Sequence, residues 1–291
     1  MNYLLILCTV LLLVIQTLCF KEFTRTYMKN VASYFIFNFL FFCVVVVIFF
    51  ATGISTSGFD LSTVVLGALF GVVFIITIFC YMKAMETGPL SFTILFSSFG
   101  IMIPVFIGLI FWNEPINIVQ IMGLILLFTT FYLGSGSSKG KKQKMNMKWL
   151  VFCMINFLGN GIGMTITKWH QILLPGIEIK EYLVMSFGTA ALLSLAMFVY
   201  YHYVKKEVIV HLKRVHLVYI ILATGIVTAF GNQLFVFLAS RIPGVIQFPA
   251  INGGIVILST IASCFIFKDK LTRNVVIGMS LGIVALVLIS A

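Results

Sequence analysis

The chain has 291 residues, of which 61% are hydrophobic and only 9% are charged, and its mean hydropathy is +1.15. An ordinary soluble domain has no interior large enough to hide so much apolar surface. The composition therefore excludes that class and predicts an all-α integral membrane protein, with the lipid bilayer as its first partner. Although the formal net charge is +11, the basic residues are spread over the loops between apolar runs, so we predict no nucleic-acid partner.

Apolar runs broken by charge, Pro or Gly predict ten transmembrane spans, because a bilayer-crossing helix needs about 20 apolar residues. The predicted spans one to ten are Asn2–Phe20, Val31–Thr52, Ser62–Met85, Leu90–Trp112, Ile116–Leu133, Lys148–Thr167, Glu181–Tyr203, His216–Ser240, Val245–Phe267 and Leu271–Ser290. Span one could instead be a signal peptide. No Lys or Arg precedes it and no small-residue cleavage site follows it, so we predict a retained span.

Basic residues predict the orientation of these spans. Sixteen of the 19 Lys and Arg lie in odd-numbered loops or their flanks, and the even-numbered loops carry only Lys168, Lys180 and Arg241. Since Lys and Arg collect on the cytoplasmic side of a membrane, we predict cytoplasmic odd-numbered loops and extracytoplasmic termini. The compact loops and short termini suit a multi-pass protein of a bacterial inner membrane, that is, a plasma membrane.

A segment of about fifty residues occurs twice without a gap, which indicates an internal duplication. Three positions return 155 residues later, Ala84 as Ala239, Glu114 as Asp269 and Gly123 as Gly278. Five spans per half is an odd number, so the second half must enter the membrane the opposite way up. We therefore predict ten transmembrane helices in two inverted five-helix repeats, residues 1–134 and 148–291, joined by a basic Gly/Ser linker at residues 135–147.

The repeated segment also carries a family resemblance. The matching residues in the first half are Ala84-Met85-Glu86-Thr87-Gly88-Pro89-Leu90-Ser91, Pro104, Trp112-Asn113-Glu114-Pro115 and Gln120-Ile121-Met122-Gly123. The second half has Phe267-Lys268-Asp269-Lys270-Leu271 and Gly278. These segments resemble the signature of EamA-like proteins in the drug/metabolite transporter superfamily. The resemblance implies a carrier in which spans one to four and six to nine rock around a central cavity, with spans five and ten as a buttress.

The chain departs from the family pattern at three places. Pro104 aligns with Ser259 in the second half, so the mid-helix proline has no repeat partner, and Asp269 stands where Glu is more usual. Span one contains no Asp or Glu, whereas the small multidrug members of the superfamily carry an embedded Glu there. This departure argues against proton-coupled export of cationic drugs.

Uncharged polar residues inside the spans predict the substrate site. The candidates are Ser97, Asn156, Asn160, Asn232, Gln233, Gln247 and Asn252. Asn156 and Asn160 are four residues apart and share a helix face, and Ser97 is the repeat partner of Asn252, so these two would face each other near the symmetry axis. The alternative for each residue is an interhelical hydrogen bond that holds the bundle together.

Several glycines and charged residues allow two interpretations each. Gly159, Gly161 and Gly163 predict either an unwound segment in span six or tight helix packing. The pairs Gly67/Gly71 and Gly278/Gly282 predict close helix contact, with a homodimer through span ten as a lesser alternative. Glu114 and Asp269 are predicted to be anions at helix starts, or else to couple transport. Lys168 and His170 are predicted to follow span six at the membrane interface.

These patterns predict a secondary transporter of a small neutral or zwitterionic organic metabolite, working by alternating access. The alternative is a non-transporting membrane scaffold or receptor-like subunit, which would pack solidly and pair its buried asparagines. We predict no enzyme activity, no cofactor and no metal, because no spacing of Cys, His or acidic residues matches a metal site and no phosphate loop or nucleophile motif is present.

Overall fold

A computed structural model describes residues 2–28, 30–54, 59–87, 90–135, 147–207, 215–267 and 273–289. The structure is 89% helical, and no strand occurs in these ranges. The helices are α1 (Asn2–Thr26), α2 (Val31–Ala51), α3 (Leu61–Thr87), α4 (Leu90–Phe99), α5 (Met102–Phe111), α6 (Ile118–Ser135), α7 (Met147–Leu173), α8 (Ile179–Val199), α9 (Val215–Ala239), α10 (Gly244–Phe267) and α11 (Arg273–Ile289), with a π-helical turn at Tyr200–Val204 after α8.

Seven helices in the described part of the chain are long and apolar enough to cross a membrane, namely α1, α2, α3, α7, α8, α9 and α10. Shorter apolar helical segments lie at 96–111, 118–130 and 276–289, and the first of them includes the turn between α4 and α5. The all-helical fold is therefore confirmed, and the seven long apolar helices suit a membrane protein, while the count of ten spans and the inverted repeat stay predictions. Most predicted boundaries lie within a few residues of the helix ends.

Three predicted spans differ from the helices. Span one was expected to end at Phe20, but α1 continues to Thr26. Span six was expected to end at Thr167, but α7 continues to Leu173, so Lys168 and His170 lie inside a helix and are buried. Polar side chains at this end of α7 find partners in the fold, which hydropathy alone does not reveal. Span four is not one helix, because α4 ends at Phe99 and α5 begins at Met102.

Pro104 explains the break between α4 and α5. A proline has no N–H to donate to the carbonyl four residues earlier, and its ring clashes with that carbonyl. The carbonyl of Gly100 accepts from the N–H of Ile103 instead, at 3.2 Å. Pro249 lies inside α10, which remains one continuous helix.

Replacing Pro104 with Ala should therefore join α4 to α5. A proline in a helix interior costs about 3 kcal/mol, so we expect amide-hydrogen exchange at Ile101 and Ile103 to slow at least about tenfold. Hydrogen-exchange mass spectrometry measures this change. Pro249→Ala is the matched control and should leave exchange across Gly100–Ile103 unchanged. Unaltered exchange there in Pro104→Ala would show that the proline does not cause the break.

The chain folds into two compact units. Unit 1 comprises residues 3–75 and 169–240, and unit 2 comprises residues 76–168 and 241–291, so the boundaries fall inside α3 and near the end of α7. Each unit takes residues from both predicted halves. The halves at 1–134 and 148–291 describe a sequence repeat rather than a compact body, and they stay a prediction. Of the predicted linker, residues 136–146 lie outside the described residues.

In unit 1, α2 packs against both α8 and α9. The predicted close helix contact at Gly67 and Gly71 is confirmed within the chain. A Cβ atom on Gly71 would lie 2.5 Å from the backbone oxygen of Ser186 on α8, and one on Gly67 would lie 3.0 Å from that of Tyr182. These glycines let α3 approach the α8 backbone.

In unit 2, α6 and α11 pack along each other. A Cβ atom on Gly123 of α6 would lie 2.9 Å from the backbone oxygen of Ala285, and one on Gly282 of α11 would meet the side chains of Thr130 and Ile257. The face of α11 that bears Gly282 is therefore occupied inside unit 2. Gly282 therefore gives no support to a homodimer through span ten, and that homodimer stays a prediction.

Candidate functional site

A cluster of polar side chains joins α7 to α3 and α4 inside unit 2. Asn160 Nδ2 donates to Ser97 Oγ at 3.0 Å and to Asn156 Oδ1 at 3.3 Å, and Asn156 Nδ2 donates to the backbone oxygen of Thr77 at 3.1 Å. Asn156 is only 2% exposed, whereas Ser97 and Asn160 are half-buried. The predicted shared face of Asn156 and Asn160 is thus an actual polar cluster, and it includes Ser97.

The helix break lies beside this cluster. A Cβ atom on Gly100 would lie 2.9 Å from Asn160 Cβ, and one on Gly161 would lie 2.7 Å from the backbone oxygen of Gly100. A Cβ atom on Gly159 would collide with the Thr77 side chain. These glycines therefore serve tight packing. The unwound segment that was one alternative for span six is absent from α7, and the interruption lies in the neighbouring α4–α5 pair instead.

The cluster keeps unused hydrogen-bonding capacity. Within the described residues, no protein group hydrogen-bonds to Oδ1 of Asn160, and the Ser97 hydroxyl accepts from Asn160 without a donor bond of its own. A half-buried amide oxygen and a hydroxyl group can accept from and donate to a polar solute. At the adjoining break between α4 and α5, some backbone N–H groups bond to the oxygen three residues earlier, in place of the regular α-helical bond to the oxygen four residues earlier.

The remaining candidates are distributed differently from the prediction. Within the described residues Asn252 has no hydrogen bond to Ser97, and its Nδ2 donates to the backbone oxygen of Phe248 one turn earlier on α10. Gln247, also on α10, is fully buried. Asn232 Nδ2 donates to the backbone oxygen of Thr228 on its own helix. Asn232 and Gln233 belong to unit 1, whereas the other five candidates belong to unit 2.

A buried ion pair forms a second polar centre in unit 2. Lys168 Nζ lies 3.1 Å from Glu114 Oε1, and each side chain is only 8% exposed. The two carboxylate oxygens of Glu114 accept from the backbone N–H groups of Gly244 and Val245 at 2.8 and 3.0 Å. Lys168 Nζ also donates to the backbone oxygen of Ile242 at 2.8 Å.

Glu114 therefore is an anion at a helix start, as predicted, but the helix is α10, not the adjoining α6. A carboxylate in that position satisfies free N–H groups and interacts favourably with the helix dipole. Gly108 leaves room for it, since a Cβ atom there would lie 2.6 Å from Glu114 Oε2. Asp269, the repeat partner of Glu114, lies outside the described residues.

A third polar network surrounds His170 in unit 1. His170 is fully buried, stacks on Tyr182 with ring centroids 4.4 Å apart, and places Nε2 2.9 Å from Thr63 Oγ1. Gln171 Oε1 accepts from the Gly176 N–H, so its Nε2 is the atom that faces His170 Nδ1, at 2.9 Å. Nδ1 must therefore accept, and the proton lies on Nε2, which donates to Thr63. This neutral imidazole ties α7 to α3 and the α7–α8 turn.

Sequence reasoning missed two participants. Thr77 contributes a backbone oxygen, which any residue type could supply, so no signal marks it. Lys168 had a signal, because it is one of only three basic residues in the predicted even-numbered loops. Because Lys168 is buried inside α7, its position gives no information about the orientation of the helices in the membrane.

An apolar groove of about 450 Å³ lies between α2 and α8 in unit 1, and none of the candidate residues lines it. Its walls include Phe39, Cys43 and Val47 from α2 and Met185, Gly188 and Leu192 from α8. Among the described residues, no group of three or more His, Cys, Asp and Glu is arranged to hold a metal ion.

Comparisons with known proteins establish a likeness of fold alone. No family model matches the chain, and no curated protein matches it. A solved structure described only as "Crystal structure of protein" is similar over 98% of both chains, with a TM-score of 0.76 and 12% sequence identity. The fold thus occurs in an experimentally determined protein, while the EamA-like resemblance stays a prediction.

Proposed function

We propose that this chain is a secondary transporter of a small neutral or zwitterionic organic solute. The observation that carries the proposal is the Ser97–Asn156–Asn160 cluster beside the interrupted α4–α5 helix, within a chain of long apolar helices. Broken helices at substrate sites are characteristic of secondary transporters. Ten spans in two inverted repeats and membership of the EamA-like family are part of this proposal, supported by the duplicated segment.

The charge of the surroundings supports a solute without net charge. The cluster itself contains only amide, hydroxyl and backbone groups, which recognise hydroxyls, amides or the paired charges of a zwitterion. In unit 2, the buried charges of Glu114 and Lys168 neutralise each other and are bound to backbone groups. Neither is therefore available to a multivalent ion without breaking a buried pair, which is costly.

A non-transporting scaffold is the alternative, and specific contacts favour it. Asn156 is hydrogen-bonded to α3, Asn160 is hydrogen-bonded to α4, and Asn252 is bonded within α10. A scaffold with a tightly packed interior would contain asparagines that are hydrogen-bonded in this way. The open Oδ1 of Asn160 and the half-buried setting of Ser97 support the transporter instead, because a scaffold gains nothing from an unused polar group.

The test begins with ligand binding. Purified protein is screened by thermal shift against neutral and zwitterionic metabolites, since a ligand that binds only the folded state raises the melting temperature. A hit is then tested for uptake into vesicles that contain the protein. We expect Asn160→Leu to reduce uptake at least about tenfold, which corresponds to about 1.4 kcal/mol of lost hydrogen bonding.

Thr129→Val is the matched control, because this exposed hydroxyl bonds only to the Ile125 oxygen of its own helix. It should leave binding and uptake unchanged. Full uptake by Asn160→Leu would rule out the proposed site. A saturable solute shift without uptake by the wild type would favour a receptor-like protein over a carrier.

A further inference from the structure

Two buried polar side chains in unit 1 lack a hydrogen bond of regular geometry within the described residues. Asn38 on α2 is 1% exposed, and Ser194 on α8 is fully buried. Within the described residues, neither the amide oxygen and nitrogen of Asn38 nor the hydroxyl of Ser194 has a hydrogen bond. The Tyr34 hydroxyl, one turn earlier on α2, interacts with the Asn38 side chain but lies outside hydrogen-bond geometry. Buried polar groups are normally paired, so each exception needs a physical cause.

Aromatic contacts show how α2 and α8 pack against each other. Phe42 on α2 lies 5.5 Å from Phe187 on α8, between ring centroids, and Phe35 lies 6.2 Å from Tyr201. The helices therefore run antiparallel, with both aromatic pairs in their interface. The contacts at the two ends agree, since Lys180 Nζ donates to the oxygen of Thr52 and the Ala32 N–H donates to Glu207 Oε2.

Asn38 and Ser194 occupy the middle of this interface. Asn38 lies three residues after Phe35 and four before Phe42, which places it on the same stripe of α2. Ser194 lies seven residues after Phe187, which places it two turns along the same stripe of α8. It also lies seven residues before Tyr201, which belongs to the π-helical turn that follows α8. Helical spacing therefore brings the amide and the hydroxyl to the same level of the α2–α8 contact.

The donor and acceptor requirements of the two side chains select the class of ligand. The Asn38 amide needs both an acceptor for its NH₂ group and a donor for its oxygen, and the Ser194 hydroxyl can take either role. A metal cation cannot accept from the NH₂ group, and an anion cannot donate to the oxygen. A neutral molecule that both donates and accepts satisfies all three atoms.

We propose that Asn38 and Ser194 form an internal water-binding site in the α2–α8 interface of unit 1. Buried water typically makes about three hydrogen bonds to polar groups that lack other partners. The same chemistry explains why an amide is placed among the aromatic rings of Phe35, Phe42 and Phe187. This site is independent of the proposed transport activity, because it concerns the folded state alone.

Hydroxyl-radical labelling by X-ray radiolysis tests the proposal on the purified full chain, because radicals formed from bound water oxidise the side chains beside it. We expect oxidation of Phe35 and Phe42, which are both fully buried. Phe49 on the same helix is equally buried and is the internal control, which should stay unlabelled. Replacing sodium chloride with choline gluconate should change nothing, whereas labelling that follows Na⁺ or Cl⁻ would identify an ion and overturn the proposal.

Asn38→Leu and Ser194→Ala should each reduce labelling of Phe35 and Phe42 at least threefold. Ser186→Ala is the matched control, because its buried hydroxyl already donates to the Tyr182 oxygen at 2.7 Å. Equal labelling of Phe49, absence of labelling at Phe35 and Phe42, or labelling that survives in both variants would overturn the proposal. Ser194→Ala removes one atom only, so it keeps the test decisive if Asn38→Leu does not fold.

Discussion

Replacing Lys168 with Met should lower the free energy of unfolding by about 3–5 kcal/mol, because it leaves the buried Glu114 carboxylate without its cation. Glu114→Gln should have a similar effect, since Lys168 would then be buried without a counter-charge. The carboxylate also receives the N–H groups of Gly244 and Val245, so its loss weakens the start of α10 as well. Reversible unfolding in detergent or lipid measures these differences.

The double variant Glu114→Gln/Lys168→Met completes the cycle. We expect it to recover most of the lost stability, because the glutamine amide oxygen can still accept a backbone N–H and no buried charge remains. Lys148→Met is the control on the same helix, since Lys148 is exposed and surface charges contribute about 0–1 kcal/mol. Additive effects of the two single substitutions would show that the pair is not coupled.

Gly71→Ala and Gly188→Ala should change stability in opposite directions, although both add one methyl group to a helix of unit 1. At Gly71 the new Cβ atom would lie 2.5 Å from the Ser186 backbone oxygen and 2.8 Å from Thr189 Cβ. Because the backbone of α8 must move away, we expect a loss of about 1–3 kcal/mol.

At Gly188 the new Cβ atom would meet nothing within 4 Å. Alanine restricts the unfolded chain more than glycine does, so Gly188→Ala should raise stability by about 0.5–1 kcal/mol. The same unfolding measurement serves both variants. A loss at Gly188 comparable to that at Gly71 would mean that the close α3–α8 contact does not explain the cost at Gly71.

Hydrophobic periodicity was sufficient to locate most helices, because a bilayer-length apolar run has few alternatives to a helix. It was insufficient where long-range partners decide the outcome. Span six extends from Thr167 to Leu173 because Lys168, His170 and Gln171 find buried partners. Conversely, span four looks continuous in hydropathy, yet the interruption near Gly100 follows from Pro104.

The candidate site was predictable in part for a similar reason. Asn156 and Asn160 share a face by spacing alone, and their hydrogen bond confirms it. The partnership of Ser97 depended on which helix packs beside α4. Repeat symmetry suggested Asn252, but Ser97 bonds to Asn160 on α7, and the spacing of residues along one helix contains no information about that choice.

The amino-acid sequence by itself determined the all-helical class and the position of most helices, because burial of apolar side chains and backbone hydrogen bonding within each helix are local requirements. Only the tertiary structure decided how the polar residues are used. It pairs Glu114 with Lys168 and with the start of α10, joins Asn160 to Ser97, and buries Asn38 and Ser194 without a hydrogen bond within the described residues. These outcomes depend on contacts between distant segments, and a buried polar group takes its role from whichever partner the packing brings within about 3 Å.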